Sequence, residues 1–66
     1  MQGKVKFYSE RKGYGFIIDD SDKKEYFFHA TELKGFKFIK NDDLVSFDLK
    51  DTKRGINAAN VIVIKN

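Results

Sequence analysis

The residues with the most chemical potential in this chain lie in two short segments. Lys12-Gly13-Tyr14-Gly15-Phe16-Ile17 is followed, after eight intervening residues, by Tyr26-Phe27-Phe28-His29. Both read as β-strands, in which successive side chains point to opposite faces. Tyr14 and Phe16 share one face of the first strand. Phe27 and His29 share one face of the second, and Tyr26 and Phe28 share the other. A small domain has one core to fill, so one of these aromatic faces is expected to remain in water. An aromatic ring covers the flat face of an unpaired base whatever the base is, at about 1–3 kcal/mol per stacked base. Lys4, Lys6, Arg11 and Lys12 fall before or at the first aromatic strand, and Lys6, Lys12 and Arg54 can meet phosphates as they pass the sheet. Such contacts make affinity fall with salt, with a slope near −0.7 per neutralised phosphate on single strands.

The elements that must position these rings are short. Strands are predicted over residues 5–8, 14–18, 25–29, 44–49 and 58–64, separated by polar turns. In the fourth, Val45, Phe47 and Leu49 are expected to face inward and Ser46 and Asp48 outward. Residues 31–39 are read as irregular, with a bend at Gly35, and residues 50–56 as a charged loop. The segment Ala30-Thr31-Glu32-Leu33 is too short to exceed one helical turn. Five short strands argue an all-β barrel or sandwich, and closure is favoured because it removes exposed edges. Ile17, directed away from Tyr14 and Phe16, is expected in the core. Strict alternation groups Phe7 with Val5 on the inside, and a bulge in a curved strand would turn it outward.

Sixty-six residues allow one domain, expected to run from residue 1 to 66. Its stability is expected on the order of 3–5 kcal/mol. With no cysteine, no disulfide staples the fold and nothing marks an oxidising compartment. The first strand pattern begins almost at Met1, which leaves no room for a signal peptide, and no apolar run approaches membrane-spanning length. A cytoplasmic protein is expected. The formal charge of +3, from 13 basic and 10 acidic residues, is a modest bias toward polyanions. The lone His29 gives a metal site almost no support. Asp19-Asp20-Ser21-Asp22 lacks the glycine and distal glutamate of a calcium loop and reads as a solvated turn. No cofactor, small-molecule substrate or catalytic constellation is expected. Core packing of the rings, or a protein-binding patch, are the competing readings.

Gly3-Lys4-Val5-Lys6-Phe7-Tyr8, Lys12 to Ile17, Glu25 to His29, Gly55 and Ala58-Ala59-Asn60-Val61 together resemble the bacterial cold-shock proteins, in order and over nearly the whole chain. The two middle segments match that family's RNP1-like and RNP2-like strands. The resemblance implies a five-stranded antiparallel OB-fold barrel that binds single-stranded RNA and DNA. It also implies RNA-chaperone activity and regulation of transcription and translation in the response to cold. By position, the implied nucleic-acid-binding residues are Lys6, Phe7, Lys12, Tyr14, Phe16, Phe27, His29, Phe36, Lys37 and Arg54. Several residues depart from the pattern. Phe7 stands in place of Trp, Ser9 of Asn, Ala30 of a third Phe, and Ile56 of Pro. The loop around Phe36 is shorter than usual, so Phe36 and Phe38 are alternatives for its stacking ring. These changes imply a smaller or weaker site than the fullest members have. A monomer is expected, with edge pairing of two copies as the alternative. A protein-binding β-barrel and a ribosome-associated OB domain are the rival functions.

Overall fold

The computed structural model describes residues 1–34 and 39–65. Five strands, β1 (Gln2–Ser9), β2 (Tyr14–Asp19), β3 (Glu25–His29), β4 (Leu44–Thr52) and β5 (Gly55–Lys65), form one antiparallel sheet in the order β3-β2-β1-β4-β5. The sheet curls into the OB arrangement, with β3 and β5 in contact but not hydrogen-bonded as a ladder. The chain after a 3₁₀ turn at Ala30–Glu32 completes the wall: Leu33 bridges Val61 in parallel, and the Lys34 N–H donates to the Val61 carbonyl at 2.8 Å. Among the described residues, no helix is long and apolar enough to cross a membrane.

The core is built from Val5, Ile17, Phe28, Val45, Phe47, Ala58, Val61 and Val63, with Tyr8 and Tyr26 packed against it. Period-two alternation delivers these residues to one side of the sheet. In β1 the alternation is broken on purpose. Val5 pairs with Ile17 and Phe7 with Phe16, so Lys6 is an extra residue with no partner on β2. This is a β-bulge, which adds one residue to a strand and re-aims those that follow. Lys6 and Phe7 consequently both face outward, and Tyr8 faces in. The Tyr8 ring stacks on Phe28 with centroids 5.7 Å apart and planes 8° apart.

The turns are held by short polar side chains. At the end of β2 the buried Asp19 carboxylate accepts hydrogen bonds from the Ser21 N–H (2.7 Å), the Ser21 hydroxyl (3.0 Å) and the Asp22 N–H (3.3 Å). Those bonds, the Ser21 N–H foremost, hold its carboxyl below the ordinary 3.8 against the opposing effect of burial. The segment read as a solvated turn is thus anchored from inside by its first residue. At the other end of β2, Gly13 adopts φ +78°, a left-handed conformation open to glycine at no steric cost. Its N–H donates to the Ser9 carbonyl at 2.8 Å, and its own carbonyl accepts from Ala30 at 2.8 Å.

Two expectations fail in the β4–β5 hairpin. Residues 50–56 are not a loop: β4 runs on to Thr52 and β5 begins at Gly55, leaving a tight turn at Lys53-Arg54. Leu49 is not inward packing either; it is 40% exposed. One cause explains both. β4 pairs with β1 only from Leu44 to Ser46, so the far half of the hairpin runs beyond the layer it could pack on. Its ladder is sustained by backbone hydrogen bonds, with no core to impose an apolar alternation that could be read. An irregularity between Ser46 and Asp48 sets Phe47 against two residues of β5, Asn60 and Val61, and in this bulge Asn60 adopts φ +51°, a region Asn tolerates better than most residues. The Asn60 amide donates to Asp48 Oδ2 at 3.2 Å.

Candidate nucleic-acid interface

The outer face of β1–β2–β3 is laid out in rows by the strand register. Ser9, Tyr14 and His29 form one row, and Phe7, Phe16 and Phe27 the next. Beyond them comes Lys4, Ile18 and Glu25, with the bulged Lys6 between the second and third rows. Four rings make a continuous cluster. Tyr14 lies 5.5 Å from Phe27 at an interplanar angle of 28°, 6.2 Å from Phe16 edge-on, and 6.3 Å from Phe7. Phe16 and Phe27 meet edge to face at 5.8 Å. These are the offset and T-shaped contacts that aromatic rings prefer. Each ring is wedged by its neighbours while keeping part of its surface in solvent: Tyr14, Phe16 and Phe27 are half-buried, and Phe7 is 39% exposed.

The residues between these rings explain why they can be presented this way. Gly15 separates Tyr14 from Phe16 on the inner side, where the Phe28 ring passes beneath it. A Cβ at Gly15 would lie 2.4 Å from the Phe7 carbonyl oxygen and 2.8 Å from Phe28 Cζ. The absent side chain therefore makes room for the Tyr8–Phe28 stack that supports the outer ring cluster from below. Core packing and the exposed cluster thus use different rings of the same strands, as the double-sided aromatic pattern of β3 requires.

The polar members are distributed around the cluster. His29 is exposed and caps the 3₁₀ turn: the Thr31 N–H donates to its Nδ1 at 3.2 Å. Nδ1 is thereby an acceptor, so in the neutral ring the proton sits on Nε2, whose N–H is left pointing away from the cap. Lys12 is exposed in the turn before Tyr14, where its N–H donates to Ser9 Oγ at 3.1 Å. Lys6 reaches across β2 to form an ion pair with Glu25, both side chains being about half exposed (53% and 47%). Glu25 escaped the sequence reading as a site residue. Its signal lay in register: with β2 between them, an acid opening β3 falls in the same outer row as the lysines of β1. Arg54 stands at the tip of the β4–β5 hairpin, and its side chain joins none of the ring contacts, hydrogen bonds or ion pairs among the described residues. Phe36, Lys37 and Phe38 lie outside the described residues.

With this geometry in view, a family model described as the 'Cold-shock' DNA-binding domain matches residues 1–64. The chain belongs to the cold-shock domain family. It is similar to a cold shock-like protein of Thermotoga maritima, with 42% identity across 98% of this chain and 100% of that protein. It is also similar to cold shock-like protein CspC of Bacillus cereus, with 41% identity across 94% of this chain and 97% of that one. Among solved structures it resembles drosophila Unr CSD456, with a TM-score of 0.77 and 25% identity over 96% of this chain, which spans 26% of that longer one. Cold-shock domains are nucleic-acid-binding OB folds. In this cold-shock domain the outer cluster consists of phenyl and phenol rings alone, because Phe7 carries no indole N–H and Ala30 adds no ring beyond His29.

Proposed function

We propose that this cold-shock domain binds single-stranded RNA or DNA across the outer face of β1–β3, with little sequence preference and without catalysis. The observation that carries this reading is the solvent-open cluster of Phe7, Tyr14, Phe16 and Phe27. Bases stack on the rings, and the alternating edge-on and offset tilts offer several faces to successive nucleotides. Lys12 and Lys6 meet phosphates, Lys6 after exchanging Glu25 for the incoming anion. The His29 Nε2–H donates to a base edge or a phosphate. Arg54, on the hairpin, is assigned a further phosphate, and the family resemblance assigns Phe36 or Phe38 and Lys37 to binding as well. Ring stacking is indifferent to base identity, which accounts for broad recognition.

Molecules lining up along a strand would hold it unpaired and melt weak hairpins without ATP, because bases stacked on protein are withdrawn from pairing. That is an RNA chaperone's action, and through it the domain would act on transcription and translation in the cold, within the cytoplasm. Tyrosine fluorescence titration with oligothymidine and oligouridine tests the binding. Saturable binding that weakens with salt is expected, and no binding at low salt would overturn the proposal. A hairpin-melting assay tests the chaperone step, which fails if saturating protein leaves the hairpin closed.

A further inference from the structure

The third row of the outer face ends in a groove of about 230 Å³, lined by Lys4, Lys6, Ile18, Asp20, Lys23 and Asp42. It is continuous with the ring cluster, since Ile18 lies on the same face of β2 as Tyr14 and Phe16. Ile18 is a half-buried apolar floor. Lys6 is engaged with Glu25, whereas Lys4 and Lys23 form no ion pair among the described residues. The carboxylates of Asp20 and Asp42 likewise accept no hydrogen bond and pair with no cation among the described residues. The groove therefore combines an apolar surface, two cations and two carboxylates with unused acceptor capacity.

We propose that this groove is an additional nucleotide subsite, and that it prefers guanine, whose edge carries two adjacent donors. This deepens the proposed function and rests on it. A strand leaving Phe16 and Phe27 runs past Lys6 onto Ile18. Its phosphate is drawn to Lys4 and Lys23 and repelled by Asp20 and Asp42, so the sugar–phosphate backbone follows the lysine side. The base then lies on Ile18 with its edge toward the carboxylates. An ionised carboxylate only accepts hydrogen bonds. It can accept two parallel hydrogen bonds from the adjacent N1–H and N2 amino group of an unpaired guanine, and only one, from N3–H, on thymine or uracil. The ring cluster is blind to base identity, and the selective element is this one terminal position.

Two measurements test the inference on the intact domain. In the first, octathymidine is titrated against isotopically labelled protein and read by NMR. Resonances of Ile18, Lys4 and Lys23 are expected to shift together with those of Phe16 and Phe27. Movement of the ring residues with the groove unmoved overturns the subsite and leaves the proposed function standing. No movement at either place overturns the proposed function itself. In the second, octathymidine is compared with octamers carrying dG at the 5′ or the 3′ terminal position. One of the two should bind about 5-fold tighter, the equivalent of one net hydrogen bond. The double variant Asp20→Asn/Asp42→Asn should lose that preference, because each amide presents a donor as well as an acceptor, while its affinity for octathymidine does not fall. Equal binding of all three octamers to the unaltered domain overturns the base preference.

Discussion

Phe27 and Phe28 are neighbours in the chain with opposite assignments, and replacing each by alanine separates the two functions of β3. Phe28 is fully buried and stacked on Tyr8. Deleting such a ring costs about 3–5 kcal/mol. That equals the roughly 3–5 kcal/mol available to a domain of this size, so Phe28→Ala should be unfolded or nearly so at 25 °C. Phe27 packs on Tyr14 and Phe16 at the surface and is not part of the core cluster. Its removal should leave the domain folded and subtract one stacking platform, at about 1–3 kcal/mol, or about 5- to 160-fold in affinity. Urea denaturation followed by circular dichroism gives the stabilities, and tyrosine fluorescence titration with oligothymidine gives the affinities. Phe28→Leu provides a partly folded comparison whose affinity, corrected for the folded fraction, should match that of the unaltered domain. A Phe27→Ala protein that unfolds, or that binds as tightly as before, would refute the division of labour between the two faces.

Three other changes probe the charges. Lys12→Gln should reduce the salt dependence of oligonucleotide binding by about 0.7 in the log–log slope, the contribution of one phosphate contact; an unaltered slope would remove Lys12 from the interface. Glu25→Gln releases Lys6 from its exposed partner, so affinity at low salt should rise by up to about 5-fold while stability moves by less than about 0.5 kcal/mol. Unchanged or weaker binding would show that Glu25 does not compete with phosphate. The lowered pKa of Asp19 means that its contribution to stability is complete above its ordinary value of 3.8 and is lost as pH falls through the still lower folded value. Urea melts between neutral pH and pH values below that range should therefore show a steeper loss for the unaltered protein than for Asp19→Asn, which keeps an acceptor oxygen but does not titrate; parallel losses would contradict this role.

The parts of this molecule that could be read from sequence are those where one face is buried. Alternation located β3 at its observed limits and sent Ile17 inward, because each strand has a core on one side and water on the other. Where that asymmetry vanishes, so does the signal. Lys50, Asp51 and Lys53 continue a hairpin that overhangs the core, and nothing in their polarity distinguishes a solvated ladder from a loop. Phe7 illustrates the opposite difficulty. Its outward direction depends on a bulge at Lys6 that a period of two can allow for but cannot place. The Lys6–Glu25 pair was hidden for a related reason, since it depends on the register of three strands at once. Ile18 looked like any apolar strand residue; only its place at the end of the ring face gives it a role.

The extra residue in β1 makes the count of backbone units there more consequential than the identity of the side chain. Replacing Lys6 would change a surface charge and leave the strand's facing intact. Excising it would make Val5 and Phe7 consecutive partners of Ile17 and Phe16, a regular ladder that keeps the phenyl group in solvent and the phenol stacked on Phe28 inside. A single codon's deletion would thus straighten and untwist the strand without reversing its faces, whereas most point changes at the same codon would leave its curvature as it is.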